Sequence, residues 1–396
     1  MRTGTANTYN TALQQLYQRQ SELASQQEKL ASAKKVNRAS DDPQAAARAE
    51  RALMGISRLE TDQRALEVQR GAISSAESTL GDATTLVQSF RDLVINAGNA
   101  GYSAADRTIL ARQMADLRDQ LLTIANRNDS NGVPLFGGLG STIAPFADLP
   151  SGVQYQAIAG QRAATTDALP GAMNGQAIWM DVPSGNGSFE VSLNNANTGG
   201  AWTDAGTVTS PAALTGDNYS VTFNVVAGVT TYAVVNTSTS TTVASGQPYA
   251  DGAPIQFDGM SVMVHGVPAS GDAVSVAPST RSNIFKVLDD AIRSVDTEPG
   301  GNRMSQAVAL QLSQIDTGLE KIQSARSQAG VWLNRADTIS GAQEARSTAL
   351  ATDKSHAVDL DMVKGISDFN MAQTGYQAAL QSYAQIQKLS LFNFIN

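Results

Sequence analysis

The stretch LETDQRALEVQRGAISSAESTLGDATTLVQSFRDLV, residues 59–94, decides the fold. Leu59, Leu66, Ile73, Leu80, Val87 and Val94 recur every seven residues, and Ala76, Ala83 and Phe90 follow their neighbours by three. Apolar side chains at that period form one stripe of an α-helix, the pattern of a helix packed lengthwise on another. Prolines stand at 43 and 134 with none between, so the helix is expected to start at Pro43 and reach about Ala97. At 1.5 Å per residue that is roughly 80 Å of rod.

Working outward, Gly98, Gly101 and the Ser103-x-x-Asp106 cap mark a turn, and Leu110, Met114, Leu117, Leu121 and Ile124 predict a third helix folding back on the second. Asn131-Gly132 signals a tight turn, and the helical period stops at Leu135-Phe136-Gly137-Gly138. Helix is expected again from about Ser279, with Ile284, Val287, Leu288 and Ile292, up to Glu298-Pro299-Gly300-Gly301. A second long seam follows: Val308, Leu312, Ile315, Leu319, Ile322, Ala329, Leu333 and Ala336, with Arg326 at its one polar place. Residues 138–278 are different. They hold nine of the twelve prolines, nine acidic residues against Arg162 alone, and β-prone runs such as Tyr219–Val226 and Thr230–Val235. The fold class is therefore mainly α, a long coiled-coil-like helical rod drawn from both termini, with an inserted β-rich domain. The expected divisions are 1–42 and 359–396 as terminal assembly helices, 43–137 and 279–358 as the two halves of the rod, and 138–278 as the insert.

The terminal helices carry weaker seams. Tyr9, Leu13, Leu16, Leu23 and Leu30 follow a heptad-like rhythm only if Gln20 and Gln27 fill the gaps; Ile366, Phe369, Tyr376, Leu380 and Tyr383 do the same around Gln373. Polar seam residues are a register device between chains, so these stripes, with Ile386, Leu389, Phe392 and Phe394 at the apolar end, are expected to form an assembly interface.

Composition narrows the function. The net charge is −8 and the flanks are neutral, which argues against a partner that binds through phosphates; nucleic acid is not expected. No run of eighteen apolar residues suggests a membrane span, and residues 1–9 lack the apolar core of a secretory signal. With no cysteine there is no disulfide or thiolate site. The two histidines, His265 and His356, nominate no metal centre: His356, Asp359 and Asp361 sit at helical offsets that do not converge. Gly137-Gly138-Leu139-Gly140 lacks the lysine of a phosphate loop, and Asp41 and Asp42 read as helix caps rather than catalytic carboxylates. No enzyme activity, cofactor or metal is expected.

Four segments resemble one known family. Lys35-Val-Asn37-Arg38-Ala-Ser40-Asp41-Asp42-Pro43-Gln-Ala-Ala-Ala47, Leu135-Phe-Gly-Gly138, Arg326-Ser-Gln-Ala-Gly330-Val-Trp-Leu-Asn334-Arg335 and the end Gln377 to Ile395 are similar to the flagellin superfamily, and within it to the hook-associated proteins of the hook–filament junction. The residues that carry over are Asn37, Arg38, Ser40, Asp41, Asp42, Pro43, Gly330, Asn334 and Arg335. The resemblance covers roughly 1–140 and 280–396. It implies a structural adaptor forming one ring layer by self-association, between the first junction protein and flagellin. It also implies flagellar type III export without a cleaved signal, a chaperone on the C-terminal helix, and an extracellular place on the flagellum. Filament flagellin is the nearest alternative; an adhesive or glycan-binding protein acting through the insert is one of another class.

Overall fold

A computed structural model describes residues 2–395 apart from 100, 142 and 299; the side chains of 2–6, 8, 302, 386 and 388–395 are outside the description. In chain order the helices are α1 (Arg2–Ser32), α2 (Pro43–Ala97), α3 (Ala104–Ala125), the short α4 (Gly175–Trp179), α5 (Ile284–Thr297), α6 (Asn302–Val358) and α7 (Met362–Ile395). The strands are β1 (Phe146–Leu149), β2 (Gly152–Tyr155), β3 (Val182–Pro183), β4 (Phe189–Leu193), β5 (Trp202–Thr203), β6 (Thr207–Val208), β7 (Tyr219–Val226), β8 (Val229–Asn236), β9 (Thr241–Pro248), β10 (Pro254–Phe257), β11 (Met260–His265), β12 (Ala273–Pro278) and β13 (Arg281–Ser282). The chain forms two compact units, residues 1–64 with 340–396, and residues 65–339.

In the larger unit the seven-residue seam is the core. Leu66, Ile73, Leu80, Val87 and Val94 of α2 are buried, as are Ile315, Ile322, Ala329 and Ala336 of α6. Three ion pairs fix the direction of the pairing: Arg70–Asp337 (3.1 Å), Arg326–Glu77 (2.7 Å) and Arg91–Asp316 (2.6 Å). As the number rises on α2 it falls on α6, so the helices are antiparallel. Arg326, the polar place in the second seam, thus reaches across to Glu77 instead of entering the core. Helix α3 opens on the Ser103–Asp106 capping box and returns along α2, with Arg127 beside Asp82 at 2.6 Å.

Residues 138–278 do not form a single insert, which corrects the expected boundary. Phe146, Val153, Met173, Ile178, Trp179 and Val182 belong to the same apolar cluster as the helices. The physical cause is aromatic: Trp179 stacks on Phe285 of α5 (ring centroids 6.3 Å) and meets Phe136 edge-on (5.4 Å), while Phe146 lies 6.0 Å from Phe285. Such rings bury too much area to be left on a separate domain. Gly138 shapes the entry to this segment; its φ is +62°, and a Cβ there would come within 2.4 Å of the Ile158 carbonyl oxygen. Further along, Leu169 packs with Leu66, Ala336 and Ile339, and its N–H donates to Gln69 Oε1 at 2.8 Å.

The β-rich core proper is drawn from Phe189 to Val276. Five antiparallel strands run in the order β4-β12-β7-β8-β9; facing them, β11 pairs with β10 on one edge and with β5 and β6 on the other. β7 has the bounds that the sequence run suggested, and its burial alternates along Tyr219, Val221 and Phe223. The chain enters and leaves through one neck, where β3 pairs with β13. There Ser184 N–H donates to the Thr280 carbonyl (2.8 Å) and Thr280 N–H to Ser184 Oγ (2.9 Å).

A buried cation braces the joint between α3, α5 and the β1–β2 hairpin. Arg118 donates to Asp289 Oδ1 (3.0 Å), to Asp148 Oδ1 (3.0 Å) and to Asp119 Oδ1 (3.1 Å). Its hydrogen bonds hold the Asp148 carboxyl below the ordinary 3.8, and the carboxylates raise Arg118 in turn.

Joining Ser184 to Ser279 through a short linker removes only the β-rich core, and the shortened chain is expected to retain the helical melting transition. Excision from Ser141 to Ala277 also takes Trp179 and Phe146, and is expected to cost well above the roughly 3–5 kcal/mol of one buried aromatic; equal melting of the two deletions would refute the division. Arg118→Met is expected to lose about 3 kcal/mol, the low end for a broken buried pair because Asp148 and Asp289 are partly exposed. Since Asp148 is depressed in the folded state, its share is present above the unfolded carboxylate pKa and disappears as pH falls through the lowered value. Wild type is therefore expected to lose its advantage over Asp148→Asn on acidification, read by denaturant melts across pH.

Candidate assembly interface

The smaller unit brings the two ends of the chain together. Helix α1 packs on α7. Tyr9 and Tyr383 share a hydrogen bond between their hydroxyls at 2.7 Å, with ring centroids 5.6 Å apart. At the other end of the pairing the backbones of Lys34 and Asp359 form an antiparallel bridge, so these helices are antiparallel too.

The face of α7 turned to α1 is only partly the one the large side chains suggested. Phe369, Tyr376 and Tyr383 are partly covered, and Gly365, Ala372 and Ala379, each one step before them on the same face, are also covered. Read together, 365, 369, 372, 376, 379 and 383 step by four and three without interruption, small residues alternating with aromatic ones. Ile366 and Leu380 are 50% and 40% exposed, and Gln373 is exposed with them. They form a second stripe with Val363, Asn370 and Gln377, at alternating steps of three and four on the outer side of α7. On α1, Leu13, Leu16, Leu23 and Leu30 are half-covered, while Gln20 and Gln27 point to solvent and Gln26 takes a seam place. Small residues give no hydrophobic signal, so Gly365, Ala372 and Ala379 are absent from the sequence pattern although Phe369, Tyr376 and Tyr383 belong to it. Ile386, Leu389, Phe392 and Phe394 have side chains outside the described residues.

Two turns lock this pair to the helices beside it. Lys35 N–H donates to the Val358 carbonyl (2.8 Å), Leu360 N–H to that of Ala33 (3.0 Å), and Lys35 Nζ to that of His356 (2.6 Å). Val36, Ala49, Ala357 and Val358 form a small apolar cluster beneath them. The expected breaks at 42 and 359 therefore fall inside one packed unit, because these turns tie α1 and α7 to the start of α2 and the end of α6. Gly55 belongs to the same packing: a Cβ there would lie 2.8 Å from Leu350 Cδ1.

The residues Asn37 to Pro43 have separable tasks. Asp41 Oδ2 accepts from the N–H groups of Asn37 (3.0 Å) and Arg38 (2.9 Å), closing the turn on itself. Asp42 Oδ1 accepts from Gln44 and Ala45 N–H (3.0 and 2.9 Å), capping α2, and Pro43 is the first helical residue, where its missing N–H costs nothing. Arg38 reaches Glu28 of α1 at 3.2 Å, and Ser40 is exposed. Asp361 caps α7 through Val363 and Lys364 N–H. The two backbone donors hold the Asp41 carboxyl below 3.8.

Gly330, Asn334 and Arg335 lie on α6 in the larger unit. Arg335 donates to the Thr165 carbonyl at 2.6 Å and so straps the 164–169 segment, Asn334 donates to the Gly330 carbonyl at 3.1 Å, and nothing lies within 4 Å of a Cβ placed on Gly330. Among the described residues no three histidine, cysteine or acidic side chains converge as a metal would require, and no helix is long and apolar enough to cross a membrane.

Residues 4–141 match the bacterial flagellin N-terminal helical region, 312–395 the bacterial flagellin C-terminal helical region, and 192–278 the D2-like domain of flagellar hook-associated protein 1. Crystallised flagellar hook-associated protein 3 from Legionella pneumophila is 31% identical, with a TM-score of 0.72 over 76% of this chain and 97% of that one. The chain belongs to the flagellar hook-associated protein 3 family. A flagellar junction protein FlgL from the same organism gives 32% identity and a TM-score of 0.67 over 73% of this chain and 99% of that one. Flagellar hook-associated protein 3 of Salmonella typhimurium is 24% identical over 99% of both chains. Members of this family are components of the bacterial flagellum, and the match at 192–278 falls on the β-rich core described above.

The Asp41 turn yields a test. Asp41→Ala is expected to abolish slow amide exchange at Asn37 and Arg38 while leaving Leu80 and Val87 protected. In wild type the protection of those two amides persists below the usual carboxylate range, because the folded pKa is lowered, and fades only once that value is crossed. Hydrogen exchange across acidic pH decides it; unchanged protection at Arg38 in the variant would mean the carboxylate holds nothing there.

Proposed function

We propose that this chain is a structural adaptor forming one layer of the hook–filament junction, between the first junction protein and flagellin. The observation that carries the reading is the pairing of α1 with α7, with a second stripe left facing outward on α7. One helix thereby offers an inward seam to its own chain and an outward one to a neighbour. Ile366 and Leu380 on the outer stripe are apolar groups that gain free energy when a neighbour covers them. The glutamines between them favour a single register over indiscriminate association.

Contacts repeated head to tail around an axis make a ring layer, with one face for the preceding layer and the other as a template for the next. The D2-like match to hook-associated protein 1 favours the junction over filament flagellin. Export through the flagellar type III apparatus, an extracellular location and chaperone binding at the C-terminal helix belong to the same reading. A helix whose partner is a single, half-covered neighbour is marginal alone, and a chaperone that covers its outer stripe and apolar end keeps it soluble.

Deleting the chain from cells is expected to leave hooks without filaments and to release flagellin into the medium. Intact filaments on the deletion strain would overturn the adaptor role. The interface has its own test. Ile366→Asp with Leu380→Asp is expected to change the melting free energy by no more than about 0.5 kcal/mol, as for other exposed positions, yet to stop incorporation onto hooks bearing the first junction protein. Tyr376→Asp, on the inward seam, is expected to part α7 from α1, seen as loss of slow exchange in both. Normal incorporation of the double variant would remove the outer stripe from the interface.

A further inference from the structure

Three asparagines of this chain are followed by glycine: Asn131, Asn174 and Asn186. Glycine has no side chain to keep its backbone nitrogen away from the preceding side-chain amide. That nitrogen can attack the asparagine Cγ; a C–N bond forms, ammonia leaves, and the cyclic imide takes up one water and opens to aspartate or isoaspartate. The fold decides which of the three pairs is free to do so.

Asn186 is tied down on every side. Its Oδ1 accepts from the N–H groups of Ser188 and Phe189 at 3.0 Å each, and its Nδ2 donates to the carbonyls of Ala205 (3.2 Å) and Gly206 (3.0 Å). Gly187 N–H donates to the Ser184 carbonyl at 3.2 Å. After Asn174, Gly175 is buried, and its N–H donates to the Phe136 carbonyl at 3.2 Å. A Cβ on Gly175 would lie 2.4 Å from that oxygen, so the backbone nitrogen there has no room to turn. Freeing either asparagine therefore disturbs packed structure, the neck in one case and the aromatic cluster in the other.

Asn131 and Gly132 lie on the exposed tip of a short hairpin, residues 130–133. Asp129 N–H donates to the Val133 carbonyl (2.8 Å) and Gly132 N–H to the Asp129 carbonyl (3.1 Å), while Asp129 Oδ1 accepts from Asn131 and Val133 N–H (2.8 Å each). Among the described residues the side-chain amide of Asn131 makes no hydrogen bond, and nothing lies within 4 Å of a Cβ placed on Gly132. A reaction that must rearrange the backbone proceeds from locally opened states. Their free energy runs from near zero at an exposed tip to that of global unfolding in a core.

We propose that Asn131 is a self-modification site, where the folded chain exchanges ammonia for water and acquires aspartate or isoaspartate while Asn174 and Asn186 stay amides. Either product sets a new carboxylate two residues from that of Asp129. Isoaspartate also adds one atom to the backbone, which throws the Asp129–Val133 pairing out of register. The next rung, Leu135 N–H to the Arg127 carbonyl (3.0 Å), leads Leu135 and Phe136 into the helical core, so this entry loosens as the molecule ages. The site is independent of the junction role, since it lies on neither α1 nor α7.

The test holds the full-length chain in mildly alkaline buffer for weeks, native and in denaturant, then maps products by mass spectrometry with isoaspartyl methyltransferase labelling. In denaturant the three pairs share one chemistry and are expected to convert at similar rates. In the native chain conversion at 131 is expected to exceed that at 174 and at 186 by about tenfold or more, because their extra hydrogen bonds must open first. The converted chain is expected to exchange the Leu135 amide faster and to keep Leu80 and Val87 protected. Asn131→Gln, whose longer side chain cyclises far more slowly, should retain the wild-type exchange at Leu135 throughout. Native conversion at 174 or 186 that matches 131, or an intact Asn131 in the native chain once the denatured one has reacted, would overturn the assignment. Unchanged exchange at Leu135 after conversion would overturn the loosening.

Discussion

Antiparallel packing of α2 against α6 is the constraint on which the larger unit depends. A seven-residue seam on each helix can be buried only against another seam, and the ion pairs Arg70–Asp337, Arg326–Glu77 and Arg91–Asp316 fix both direction and register. Once these helices run in opposite directions, the end of α2 and the start of α6 lie together. Everything between residues 98 and 301 must then begin and end at that place. Helices α3 and α5, the Trp179 cluster and the β-rich core are consequences of that closure.

The charge distribution follows the same division. The helical seams carry matched ions that bridge across helices at half-exposed positions, where pairs contribute little to stability but penalise wrong registers. Arg118 is different in kind. It is buried and surrounded by three carboxylates from three elements, so its hydrogen bonds are obligatory once the joint is formed. The acidic surplus of residues 138–278 therefore includes Asp148, a working part of the helical core.

Much of this was legible in the sequence. Pro43 and the glycines after Ala97 bounded α2, the Ser103–Asp106 box opened α3, and the alternation in Tyr219–Val226 gave β7 its limits, because each of these signals is local. What failed was non-local. Nothing near Phe146 or Trp179 records that Phe285, over a hundred residues away, completes their cluster. Of the inward stripe of α7, Phe369, Tyr376 and Tyr383 were legible, but glycine and alanine at 365, 372 and 379 are silent in a hydrophobic pattern, whereas Ile366 and Leu380 are conspicuous and face outward.

The neck at Ser184 and Thr280 has a mechanical consequence. Because the chain enters and leaves the β-rich core through one stitched pair of strands, that core is a side branch of the larger unit and not a link in series with it. Force carried along α2 and α6 travels through their mutual packing and need not cross the five-stranded sheet. The branch is free to differ in size and surface wherever it does not meet α6, against which Leu310 packs it.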